Sequence, residues 1–417
     1  MTRAAGCAAR WLAPLLPAVP GLTDLDERRL RRLEEALSGQ LTAHPVGPGA
    51  EPQLRSQRLA RIRRELAAAG YLAQAVPARD GGAGCPPVVQ ALMQFICGYH
   101  DADLRDATGL GHGRLIARHA SPPARDRWLP RLLAGDLPGI AITEPHGGSQ
   151  VHATATAATP HRDGRWRLSG TKTWISRLEE AAVFIVFFTD PAGRLTAGLI
   201  DAAAGGLDRR AVRPSGLAGW SWGELRLHEV PLHPRDVLGR PGQGMELLRE
   251  HFAHYRPLVA ATALGTAAAV SDYVTAHLCA RRSSGLIADL RDNALITVGR
   301  SYAQINAAML AALTAQRLSE AGDQLATLWG CAIKAHAVDA AHAAASELAL
   351  LTGATGFAAG SPLAKALGDL SALRYADGIH DSLNRAAGRA LTATGPASPA
   401  AIPLPRTSRE VHNRLHA

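Results

Sequence analysis

Ile140-Ala141-Ile142-Thr143-Glu144-Pro145-His146-Gly147-Gly148-Ser149 and, further on, Gly170-Thr171-Lys172-Thr173-Trp174-Ile175-Ser176 decide how this chain is read. The first is a short apolar run that stops at a glycine-rich loop. Glycines there let backbone N–H groups come close to a ligand, and Thr143 and Ser149 add hydroxyls for ring atoms or phosphate. In the second, side chains alternate between two faces, so Ser176 lies on the same side as Trp174. An indole there can stack on a planar ring. Either stretch alone is compatible with an ordinary strand end; together, in this order, they are specific.

Around them the chain is β-rich. Ala182-Val183-Phe184-Ile185-Val186-Phe187-Phe188 is a continuous apolar strand, and Arg165–Leu168 alternates after the hairpin signal Asp163-Gly164. Thr196–Ile200 and Gly223–Leu227 add short strands. Outward on both sides the period changes to that of helices. Leu30, Leu33 and Leu37 fall on one helical face, and Leu54–Ala69 repeats the pattern before Gly70 stops it. Further helices are expected over about 88–98 and 124–130 and, after Gly244, over 245–280, 290–320, 323–352, 362–376 and 380–391. The expected organisation is an N-terminal extension (1–24), an N-terminal α-helical domain (25–138), a central β domain (139–243), a C-terminal helical bundle (244–394) and a Pro-rich tail (395–417).

With 417 residues the chain is long enough for two or three domains of roughly 150 residues each. It is 47% hydrophobic and 19% charged, which supplies a core and excludes general disorder. No run of about 20 uncharged apolar residues occurs, so no membrane span is expected. The five cysteines are scattered without metal-ligand spacing, which points to a reducing cytoplasm and to no metal site. The net charge of +9 attracts anions, yet only 5% of residues are aromatic and none interleave with a basic run. A nucleic-acid partner is therefore not expected.

The two signatures resemble those of the acyl-CoA dehydrogenase family of flavoproteins: A-x-T-E-P-x-x-G-S at Ala141–Ser149 and G-x-K-x-W-I-[TS] at Gly170–Ser176. The resemblance continues at Val237-Leu238-Gly239-Arg240-Pro241-Gly242-Gln243-Gly244 and covers about residues 55–391. It implies an α+β fold with an N-terminal helical domain, a central antiparallel β domain of barrel or sandwich type, and a C-terminal four-helix bundle. It also implies bound FAD, with Thr143 at the flavin ring, Trp174 walling it and Ser176 near N5. Ser149 and Gly378 would meet substrate. A second subunit would complete the FAD site through Arg281, in Arg281-Arg282-Ser283-Ser284-Gly285, and through Gly353 and Gly356. A homodimer or homotetramer is expected.

The same resemblance assigns the catalytic base. Counting without a gap from Pro362, Gly368-Asp369 takes the place of R-D and Ala376-Asp377-Gly378-Ile379 that of Y-E-G-T. Asp377 thus stands where Glu is usual, with a reach shorter by one C–C bond, about 1.5 Å. Asp-Gly is also a common turn dipeptide. The family's alternative base position falls at Tyr255-Arg256, without a carboxylate; His254 beside it is a second candidate.

These residues imply α,β-dehydrogenation of an acyl thioester, on coenzyme A or on an acyl carrier protein, with an electron-transfer flavoprotein or oxygen as acceptor. Two alternatives stay open: an oxygen-using oxidase or monooxygenase of specialised metabolism, and a flavin-free binding relative.

Overall fold

The computed structural model describes residues 7–45, 47, 51–148, 150–358 and 360–393. Helices α1 (Cys7–Leu12), α2 (Asp24–Ala43), α3 (Pro52–Ala68), α4 (Pro87–His100), α5 (Arg114–His119) and α6 (Pro122–Leu133) come first. Strands β1 (Leu137–Ala141), β2 (Ala157–Pro160), β3 (Trp166–Ser176), β4 (Ala181–Thr189), β5 (Leu195–Asp201), β6 (Leu207–Val212) and β7 (Trp222–Leu232) follow. Helices α7 (Gly244–Ser283), α8 (Asp292–Glu320), α9 (Ala326–Leu350), α10 (Pro362–Leu373) and α11 (His380–Ala393) complete the described chain. The tail placed at 395–417 lies outside the described residues.

Local chemistry explains where these elements begin. Thr23 and Asp26 form a reciprocal capping box at the start of α2, which buries Leu30, Leu33 and Leu37. The stretch read as an N-terminal extension holds α1, whose Trp11 and Leu12 are buried in the main core. Trp11 Nε1 donates to Asp272 on α7 at 3.1 Å.

The sheet runs β1-β4-β2-β3-β7-β6, with β5 also on β4. It departs from the expected all-antiparallel pattern, because β1 and β2 run parallel to β4. The apolar run of β4 reflects burial on both faces. Val183, Ile185 and Phe187 pack with Leu115 and Trp128, while Phe184, Val186 and Phe188 pack with β3 and β7 residues such as Leu168 and Leu225.

Helix α7 is the axis of the molecule. By length and apolar composition alone it would suffice to cross a membrane, which the sequence reading did not anticipate, yet 78% of its most apolar window is buried inside the protein. It packs on α4 at backbone contact. A Cβ on Gly98 would sit 2.0 Å from Thr262 O, and one on Gly265 would sit 2.0 Å from Phe95 O. Only glycine fits at either place, and Thr266 Oγ1 closes the contact with a 2.9 Å hydrogen bond to Gly98 O.

Candidate active site

The two sequence signatures are pinned together by a buried ion pair. Lys172 on β3 is fully buried and its Nζ lies 2.7 Å from Glu144 Oε1. The same ammonium donates to Ile142 O at 3.1 Å and to Thr154 Oγ1 at 2.8 Å. Glu144 also accepts from the backbone N–H groups of Ala155 and Thr156. Burial pushes Lys172 down to about 8. Burial alone would raise Glu144, but hydrogen bonds from Lys172, Thr154 and Thr156 hold it well below the usual carboxylate range. Thr173 N donates to Thr143 O at 2.8 Å, so the loop after β1 and the end of β3 form one unit.

What this unit leaves unspent is informative. The hydroxyls of Thr143 and Ser176 meet no hydrogen-bond partner among the described residues. Between Lys172 and Ile175 the β3–β7 register slips, and Trp174 takes a φ of 57°. The indole is consequently 59% exposed, although it sits in a buried strand. An unpartnered planar side chain flanked by two unpartnered hydroxyls fits the edge and face of a flavin ring. Ser149 lies outside the described residues.

Asp377 follows α10 with a φ of 57°, and Gly378 follows it with a φ of 115°. Two cations hold this turn by its carbonyls: Arg256 Nε donates to Asp377 O at 3.1 Å, and Lys334 Nζ donates to Gly378 O at 2.9 Å. The Asp377 carboxylate itself has neither hydrogen bond nor ion pair among the described residues. Burial pushes it up, opposed by Lys334, Arg105, Arg177 and Arg256. The field of Asp377 favours the charged form of Lys334, but burial dominates and brings that lysine down to about 7. Arg177 directly follows Ser176 at the end of β3, and its positive charge also acts on Asp377. The Asp-Gly turn thus has its backbone held by two cations while its carboxylate stays unpaired among the described residues.

Arg281, Gly353 and Gly356 are not brought to this place within the chain. Arg281 is 25 residues beyond Arg256 on the same helix, about 37 Å along its axis at 1.5 Å per residue. It makes no ion pair among the described residues. Gly353 and Gly356 lie just past α9, between Leu350, 80% exposed, and Phe357, 93% exposed. Side chains so apolar at a surface suit a second subunit.

His254 is buried, its Nδ1 3.0 Å from Gln316 Nε2, and burial holds it well below the usual histidine range. His112 is buried with its Nδ1 2.9 Å from His251 Nε2, and both rings pack on Tyr255. Trp220 and Trp222 donate to backbone carbonyls of Asp103 and Leu217 and are packing residues. Sequence reasoning missed Arg105, Asp106, Arg177 and Lys334. Lys334, a lone cation within the apolar run Cys331–Ala335, was the one legible signal. Asp101, Asp103 and Asp369 converge within 4.8 Å, but Lys365 and Arg55 already supply the cations.

The comparisons with known proteins agree with this layout. The N-terminal, middle and C-terminal domain models of acyl-CoA dehydrogenases match residues 48–136, 139–230 and 242–392. A probable short/branched chain specific acyl-CoA dehydrogenase of Dictyostelium discoideum is 30% identical over 260 residues, 60% of this chain and 62% of its own length. Glutaryl-CoA dehydrogenase of Desulfococcus multivorans is 29% identical over 61% of this chain and 67% of its own length. The alignments thus span about two thirds of these relatives. Butyryl-CoA dehydrogenase of Megasphaera elsdenii superposes with a TM-score of 0.78 at 21% identity, covering 89% of this chain and 99% of that one. Matched by all three domain models in order, this chain belongs to the acyl-CoA dehydrogenase family.

Proposed function

We propose that this protein is an FAD-dependent oxidoreductase that introduces a double bond between Cα and Cβ of an acyl thioester, carried by coenzyme A or by an acyl carrier protein. The observation that carries this reading is the Asp377 carboxylate, left without a hydrogen bond or ion pair among the described residues while its turn is held by Arg256 and Lys334. Family membership and the free hydroxyls around Trp174 support the cofactor. Thr143, Trp174 and Ser176 would hold the flavin ring, and Arg281, Gly353 and Gly356 of a second copy would reach the rest of the cofactor. When bound, the flavin would take up the hydrogen of Cβ together with its bonding electron pair as the Cα–Cβ single bond becomes double. Asp377 takes the proton from Cα. Its raised pKa suits that task, since a base works best near the operating pH. Lys334 and Arg256 keep the turn from shifting, which fixes where the carboxylate is presented. Trp174 shields the reacting face from water. Ser149 and Gly378 are assigned to substrate, the acceptor to an electron-transfer flavoprotein or oxygen, and the assembly to a homodimer or homotetramer in the cytoplasm.

The test is anaerobic mixing of FAD-loaded protein with an acyl thioester, followed at the flavin band near 450 nm. Bleaching is expected; a protein that carries FAD and is bleached by no thioester would exclude the reaction.

A further inference from the structure

Along the face where α4 packs on α7, the buried polar groups are spent up to one turn and unspent at the next. Gln94 uses both ends of its amide: Nε2 donates to Arg105 O at 2.9 Å and to Thr108 Oγ1 at 3.1 Å, and Oε1 accepts from Thr262 Oγ1 at 3.0 Å. Four residues on, Gly98 O accepts from Thr266. Position 94 thus faces 262, and position 98 faces 266. One turn back along both helices stand Gln90 and Leu258. Gln90 is 7% exposed, yet its Oε1 meets no hydrogen-bond partner among the described residues.

Tyr255 lies three residues before Leu258, on the same face of α7. It is buried, its ring packs 4.6 Å from that of His112, and its hydroxyl has no partner among the described residues. Tyr99, by contrast, donates to Asp272 at 2.6 Å. Gln90, Tyr255 and Leu258 line one cavity of about 310 Å³ with Leu72, Val76 and Leu110. The arginines of its wall already have carboxylates: Arg79 and Arg125 lie 3.7 and 3.6 Å from Asp80, and Arg114 and Arg118 lie 3.6 and 2.7 Å from Glu250. Burial pushes the Tyr255 hydroxyl far above its ordinary value, and the charge of Asp377 adds to the rise, so the hydroxyl stays neutral. Tyr255 directly precedes Arg256, which holds the Asp377 carbonyl. An alkyl chain in this cavity would strip Gln90 and Tyr255 of water without replacing its hydrogen bonds. A neutral group that both donates and accepts satisfies the two together.

Resting on the dehydrogenase reading, which brings a thioester to Asp377, we propose that the acyl chain of the substrate ends in a neutral hydrogen-bonding group, a hydroxyl or a carboxamide, seated between Gln90 and Tyr255.

The probes are ω-hydroxyacyl-CoAs of about four to ten carbons, each paired with the acyl-CoA that carries a methyl in place of the hydroxyl. Calorimetric binding to anaerobic FAD-loaded protein and flavin bleaching are read separately. At one chain length the hydroxyl probe is expected to bind at least about tenfold more tightly, because its methyl twin leaves buried groups unpaired. Tyr255→Phe removes a single oxygen and Gln90→Leu keeps the side-chain shape; each should erase most of that ratio. At the preferred length an ω-carboxamide should match the hydroxyl, and an ω-carboxylate should bind more weakly than either. Equal binding within every pair, a preference that survives both variants, tightest binding of the carboxylate, or binding of no probe overturns the proposal. Equal bleaching by both members of every pair keeps the dehydrogenase reading and rejects the Gln90–Tyr255 site. Tyr255-dependent binding without bleaching does the reverse.

Discussion

Helix α10 joins two buried groups of charges that are built on opposite plans. Along the helix, Lys365 and Asp369 meet Asp101, Asp103 and Arg55. Just past its end stands Asp377. In the first group nearly every charge has a partner at hydrogen-bond distance. Lys365 Nζ lies 2.7 Å from Asp101 Oδ1 and 3.2 Å from Asp103 Oδ2, and also pairs with Asp369. Asp369 Oδ1 accepts from Leu217 N at 2.7 Å, which ties the β domain to both helical regions. Burial would lower Lys365, but Asp101 and Asp103 outweigh it and hold the ammonium firmly charged. The Asp377 region keeps its cations on backbone carbonyls and leaves its carboxylate free. Paired charges tie the domains together, whereas an unpaired one is what the proposed proton transfer requires.

The largest expected effect is at the unpaired end. Asp377→Asn keeps the shape of the turn while removing the proton acceptor. Flavin reduction by a thioester is expected to slow by about 10²–10⁴-fold, with FAD still bound. In the unaltered protein the rate should rise with pH through a value above the ordinary aspartate range, because Asp377 accepts a proton only when ionised. The variant should lose that limb. The sign for stability is opposite: a carboxyl whose folded pKa is raised costs stability once pH exceeds its unfolded value. Asp377→Asn should therefore leave the melting temperature unchanged or higher at neutral pH, and a clear fall would mean that this carboxylate is structural after all.

At the paired end the expectation reverses. Lys365→Met leaves three converging carboxylates with Arg55 as their main counter-ion, and breaking a buried pair of this kind costs about 3–5 kcal/mol. Thermal denaturation should register the loss, whereas protein that remains folded should still be bleached by a thioester. Unchanged stability would dissolve the contrast between the two groups. The smallest of the three effects concerns the second copy. Arg281→Ala should weaken FAD retention by about 1.5–3 kcal/mol if it supplies a charge-assisted phosphate contact. The measurement is cofactor occupancy against dilution, alongside light scattering. A monomer that still holds one FAD per chain would show that Arg281 serves no neighbour.

Much of this molecule was legible before any coordinates. Helix periodicity placed the five C-terminal helices within a few residues, because apolar spacing at 3.6 residues is a local property. The signature at Gly170–Ser176 marked Trp174 and Ser176, and the ungapped count from Pro362 reached Asp377. The short strands β2 and β6 were missed. Ala157–Pro160 and Leu207–Val212 have mostly exposed side chains, so their sheet membership comes from neighbours rather than from any pattern of their own.

The sequence by itself determined most of the elements and the family, and it singled out Asp377 as the base candidate, since each depends on residues close together along the chain. Only the tertiary structure decided which charges are spent and which remain free. Lys172 and Lys334 look alike in the sequence as buried cations, yet the first neutralises Glu144 and the second holds the Gly378 carbonyl. Arg105 and Arg177 are 72 positions apart and compete for Asp106 only because the fold brings them there. Partner choice depends on distances of a few tenths of an ångström between elements far apart in the chain. Those distances do not exist until the helices have closed over the sheet.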